Sequence, residues 1–148
     1  MSSLDQIPIA LGTAADASVP AGPGNALPVL HEVRHALARL LETGEHTKID
    51  LKAMPFGPGD LDRLLTVLGT GEVQASVEAL GPTRVQETAI AGVWLVDYLS
   101  TEGQRLALHL EIAPVPEILC PQPRDLDDAI ATLDARLDRA RSDTPLTS

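Results

Sequence analysis

The sequence predicts an α+β fold: a mostly antiparallel sheet of about four meandering strands, with helices packed on one face. Three observations carry that expectation. Between residues 72 and 112, apolar and polar residues alternate with a period of two. On either side of that stretch the apolar residues repeat at helical spacing. Within it, only turn residues separate the strand-like runs, so short hairpins must join them, and a βαβ nucleotide-binding arrangement is disfavoured.

The elements follow in order. Residues 1–25 are small and polar and end in Pro20-Ala21-Gly22-Pro23-Gly24, which reads as a flexible N-terminal arm. Residues 26–141 read as a single domain, and residues 142–148 as a frayed C-terminal tail. The first helix is expected over residues 28–43, with Leu30, Val33, Leu37, Leu40 and Leu41 as its apolar stripe. Pro28 sits in its first turn, where a missing N–H costs nothing, and Gly44 stops it. Residues 47–51 have the pattern of a short strand with Ile49 and Leu51 on one face. Pro55-Phe56-Gly57-Pro58-Gly59 is a loop. A second helix over Asp60–Leu68 aligns Leu61, Leu64, Leu65 and Leu68 and ends at Gly69.

In the alternating region, Val73, Ala75, Val77 and Ala79 mark one strand. Gly81-Pro82 turns the chain, and further strands are expected over residues 84–90, 93–99 and 105–112. In the last of these, Leu106, Leu108, Leu110 and Ile112 share a face, with Ala107, His109 and Glu111 on the other. Pro114 and Pro116 end the sheet. A final helix over residues 124–141 carries a narrow stripe of Leu126, Ile130, Leu133 and Leu137. That stripe suits either docking on the sheet or pairing with its own copy in a homodimer.

The chain is acidic: 148 residues, net charge −10, isoelectric point near 4.6. Such a surface repels phosphate, which argues against nucleic acid and against an anionic membrane as partners. Aromatic residues make up only 2%, so the core must be aliphatic. The one cysteine, Cys120, excludes an internal disulfide. The first 25 residues do not resemble a signal peptide, and no apolar run is long enough for a membrane span. Together these features point to the cytoplasm.

One motif looks like chemistry. His31-Glu32-Val33-Arg34-His35 matches H-E-x-x-H, which in zinc hydrolases sets two imidazoles one turn apart on a metal with the glutamate as general base. Here both histidines fall on the polar side of the helix, Arg34 lies beside them, and Leu41 stands where an extended motif would supply a third histidine. A solvated helix face is therefore preferred, with no metal, cofactor or catalytic residue assigned. Gly69-Thr70-Gly71-Glu72 joins a helix to a strand, the reverse of a phosphate loop, and reads as a turn. Cys120 reads as a small buried hydrophobe. Glu87 shares a strand face with Val85; if that face is buried, it needs Arg84, Arg105 or a backbone donor. Trp94 is either core or an interface anchor.

A family resemblance rests on several blocks: Leu30-His31-Glu32-Val33, Ile49-Asp50-Leu51, Leu68-Gly69-Thr70-Gly71-Glu72-Val73, Gln86-Glu87-Thr88-Ala89 with Gly92-Val93-Trp94, and Val115-Pro116-Glu117. In this order they resemble the conserved region of HupH/HyaF-type hydrogenase expression (maturation) proteins, over roughly residues 29–119. The resemblance implies a cytoplasmic accessory factor that is not an enzyme. It would be a chaperone or scaffold for a NiFe hydrogenase subunit precursor or for a complex that assembles the metal centre. Glu72, Glu87 and Trp94 lie within those blocks and are the candidate partner-binding residues. The competing readings are a zinc-dependent hydrolase built on His31, Glu32 and His35, and a small-ligand or oligomer-forming regulatory module.

Overall fold

The computed structural model describes residues 24–144. The expected N-terminal arm, apart from Gly24 and Asn25, and most of the expected tail lie outside the described residues. The described chain forms two compact units that meet in sequence at Pro114 and Val115.

The first unit holds helix α1 (Ala26–Thr43), strand β1 (Thr47–Asp50), helix α2 (Asp60–Leu68) and strands β2 (Gln74–Glu78), β3 (Pro82–Glu87), β4 (Val93–Leu99) and β5 (Arg105–Ile112). All pairings are antiparallel, in the order β1-β5-β4-β3-β2. The meander β2–β5 matches the expectation. The fifth strand comes from β1, whose four residues pair with the distal half of β5, Thr47 opposite Ile112 and Asp50 opposite His109. Local pattern could not show that long-range pairing. Leu51, expected at the end of this strand, instead begins a turn of 3-10 helix over Leu51–Ala53, with the Asp50 carboxylate accepting from Lys52 N at 3.0 Å.

The core lies between one sheet face and the two helices. Ala26, Val29, Val33 and Ala36 of α1 and Leu64 and Leu68 of α2 pack with Ile49, Leu51, Val93, Leu108, Leu110 and Ile112. Close packing of this kind is what makes each buried methylene count. The buried stripe of α1 is rotated from the expected one. Leu41 is 88% exposed, while Val29 and Ala36 are buried, because the small alanines let the helix approach α2 and β5. Leu106, aligned by period with Leu108, is also exposed, since it lies at the hairpin end of β5. Asp60 fastens the two helix starts together: its Oδ2 accepts from Asn25 N at 3.2 Å and Gly57 N at 2.8 Å. The turn at residues 100–103 closes the β4–β5 hairpin, with Ser100 N donating to Gln104 O at 2.7 Å.

The second unit contains a 3-10 turn (Glu117–Leu119) and helix α3 (Pro123–Asp143). The Asp125 carboxylate accepts from Gln122 N at 2.9 Å, fixing the helix start. No residue of α3 is buried. Cys120, expected to be a buried hydrophobe, is exposed; its position in a short irregular segment after the 3-10 turn gives it no packed neighbourhood.

Candidate functional site

Register places two kinds of row on the helix-facing side of the sheet. One runs Ile49, Leu110, Leu95, Gln86, Gln74, and the next runs Leu108, Asp97, Arg84, Ser76. The first row is apolar through Leu95 on β4 and polar on β3 and β2; the second turns polar one strand earlier, at Asp97 on β4. The polar half forms an open trough of about 490 Å³, lined by Gln74, Ser76, Arg84, Gln86, Leu95 and Asp97. Its charges are unequally engaged. Asp97 is held by Arg105 in a two-point pair, Nε to Oδ1 at 2.8 Å and Nη2 to Oδ2 at 2.9 Å. The hydrogen bond to Asp97 raises the Arg105 pKa above its ordinary value. Arg84, directly opposite Asp97, is exposed, and its guanidinium makes no hydrogen bond or ion pair with a described residue. Its five donors are free to take a carboxylate or a chain of carbonyls.

The trough borders strand β2, which is a sheet edge. Val73 O accepts from Glu87 N at 2.9 Å, so its backbone faces β3. By the two-residue alternation of an antiparallel ladder, Ala75 and Val77 also face β3, and the backbone groups of Gln74 and Ser76 point outward. That edge is able to hydrogen-bond another extended chain.

Of the predicted partner-binding residues, Glu72 and Glu87 lie near the N-terminal end of this edge and Trp94 does not. Glu72 is exposed and has no partner among the described residues. Glu87 is half-buried, and of the alternatives weighed for it the backbone donor applies: Val73 N reaches its Oε1 at 3.4 Å. Trp94 is buried on the opposite sheet face, and its Nε1 donates to Ala113 O at 3.1 Å. It braces β4 from beneath rather than standing at the surface. That far face also buries Val85, Val96 and Glu111.

The sequence blocks that carried the resemblance are stitched to one another. Ala89 N donates to Leu68 O at 2.9 Å and Gly71 N to Glu87 O at 2.7 Å. Gln86 Nε2 donates to Glu87 O at 2.7 Å and reaches Gly71 O at 3.3 Å. The Thr88 hydroxyl donates to Val93 O at 2.8 Å and accepts from Ile90 N at 3.1 Å. Gly71 must be glycine: a Cβ there would lie 2.5 Å from Thr88 O and 2.8 Å from Glu87 Oε1. The Gly69-Thr70-Gly71-Glu72 stretch is thus the expected helix-to-strand turn, and its function is to seat α2 and β2 against the β3–β4 connection.

His31 and His35 are both exposed on α1, on the side away from Val33 and Ala36. Among the described residues, no group of three His, Cys, Asp or Glu side chains is placed to hold a metal ion. His109 stacks edge-on to Tyr98 with ring centroids 5.2 Å apart. No helix among the described residues is long and apolar enough to cross a membrane. Sequence reasoning missed the trough. Arg84 was considered only as a partner for Glu87, and the polar residues alternating with Val73, Ala75 and Val77 were the signal.

Comparison with known proteins places these features. Residues 24–140 match the family described as "HupH hydrogenase expression protein, C-terminal conserved region". The matched span reaches past Glu117 to take in α3, which the sequence blocks did not. The chain is 32% identical over 117 residues, 78% of its length, to the hydrogenase expression/formation protein HoxQ of Azotobacter vinelandii. It is 30% identical over 114 residues, 77% of its length, to the hydrogenase expression/formation protein HupH of Rhizobium leguminosarum bv. viciae. These alignments cover 41% and 40% of the two relatives, so the chain spans about two fifths of the length of the curated relatives it matches. A solved structure, the hydrogenase expression protein HupH from Thiobacillus denitrificans, superposes with a TM-score of 0.74 at 40% identity, covering 79% of this chain and 98% of that one.

Proposed function

The chain belongs to the HupH hydrogenase expression protein family, and from that premise we propose that it serves NiFe hydrogenase maturation as a chaperone or scaffold. It holds a hydrogenase subunit precursor, or the complex assembling the metal centre, and transforms nothing itself. The observation that carries this reading is the β2 edge lying beside a polar trough whose arginine has no side-chain partner among the described residues. An extended precursor segment would add to the edge through its backbone, and Arg84 would take a carboxylate of that segment. Glu72 and Glu87, at the N-terminal end of the same edge, would steer basic residues of the precursor; Trp94 would act as a brace.

The test is capture of purified precursor subunits by this chain and by two variants. Ser76→Pro removes an outward N–H without touching the β2–β3 ladder. Arg84→Glu reverses the trough's free charge. Each is expected to weaken capture about tenfold or more. Absence of specific capture by the unaltered chain would overturn the chaperone reading; capture unchanged in both variants would move the site elsewhere.

A further inference from the structure

The side chains of β2 name the kind of segment its edge can take, on the reading that this edge is the docking strand. Successive side chains of a strand point to opposite faces, so Gln74, Ser76 and Glu78 lie on the trough face and Ala75 and Val77 on the far face. The three trough-face residues are exposed. Ala75 and Val77 are half-buried, opposite the buried Val85 and Thr83 of β3. A strand added beyond β2 therefore meets polar groups with one set of its side chains and aliphatic groups with the other.

Charge sets the order along the segment. Arg84 is the β3 neighbour of Ser76, and its guanidinium has no partner among the described residues. A residue opposite Ser76 on an added strand stands two strand spacings from Arg84, about 9.6 Å. A glutamate and an arginine together span that distance, passing over the small serine. Two residues along, the Glu78 carboxylate is exposed and has no partner among the described residues, so it suits a basic residue opposite. Gln74 is uncharged and suits a polar one. A second copy of β2 does not supply this pattern: residues 70–80 hold no lysine or arginine, so no register puts a cation opposite Glu78. Every pairing in the sheet is antiparallel, and antiparallel pairing is slightly the more stable kind. We infer that the β2 edge selects an extended segment running antiparallel to it, whose residues from the N-terminus are basic, apolar, glutamate, apolar and polar.

The test is a fluorescence-anisotropy titration of labelled, end-blocked peptides with the full chain. One peptide carries Lys-Val-Glu-Val-Thr. A second exchanges the charges, Glu-Val-Lys-Val-Thr, and a third reverses the order, Thr-Val-Glu-Val-Lys. The first is expected to bind about tenfold more tightly than either of the others. Arg84→Glu is expected to remove the preference between the first two peptides, and Arg84→Glu together with Glu78→Lys to reverse it. The thermal midpoint followed by Trp94 fluorescence checks that the variants remain folded. No binding of the first peptide up to about 1 mM, equal binding of all three by the unaltered chain, or a preference that survives the double exchange would overturn the proposal. Capture of precursor subunits in spite of such a result leaves the docking edge standing and removes only the order of side chains. The expected peptide preference without precursor capture removes only the chaperone reading.

Discussion

Two halves of one sheet face have opposite chemistry. On β5 and β4, Leu108, Leu110 and Ile112 are buried with Val93 beneath α1 and α2. On β3 and β2, in the same cross-strand rows, stand Gln86, Arg84, Gln74 and Ser76, which line the open trough. Helices α1 and α2 therefore cover only the β4–β5 half of this face. Burial of leucine holds the first half together through loss of water-exposed apolar area. The second half has nothing of that kind to bury on this side. Its apolar residues, Val85 above all, are turned to the far face. The lesson is that a strand can be fully part of the fold while presenting one side as a working surface.

Three substitutions probe that contrast, from the largest expected effect to the smallest. Leu110→Ala, at a fully buried position under the helices, should lower unfolding free energy by about 2–5 kcal/mol through lost burial and a residual cavity. Urea denaturation followed by Trp94 fluorescence measures it. Gly71→Ala sits at the seam where the two halves are fastened. The added methyl meets Thr88 O and the Glu87 carboxylate, and the loop must shift. A loss of about 1–3 kcal/mol is expected in the same assay. Arg84→Ala, in the open half, should change stability by less than about 0.5 kcal/mol, since nothing described depends on it. A large loss at Arg84 would erase the distinction between a structural and an available half.

The difference in legibility follows the same line. Strands β4 and β5 and helix α2 were readable to the residue, because their apolar residues recur with a clear period and Gly or Pro punctuates them. The buried stripe of α1 was less readable: five leucine-type positions competed, and the two alanines that decide the packing carry little hydrophobic signal. The outward placement of His31 and His35 was legible from helical angle alone. The trough was not, because it exists only once register sets Arg84 opposite Asp97 and Gln86 opposite Leu95. Trp94 shows the limit in another way. Its residue type suits a contact surface, and only the Ala113 carbonyl acceptor reveals it as a brace.

Strand β1 carries a consequence for how the chain comes together. Its partner is β5, with Thr47 opposite Ile112, so the entire meander lies in the loop that this pairing closes. A polypeptide emerging from the ribosome makes α1, β1 and α2 long before it makes β5, and until then Ile49 and Leu51 have no sheet to join. The entropy of closing that loop is offset only when the last strand arrives. During synthesis, the leucine-lined underside of the two helices is therefore the part of this molecule that most needs shelter from its neighbours.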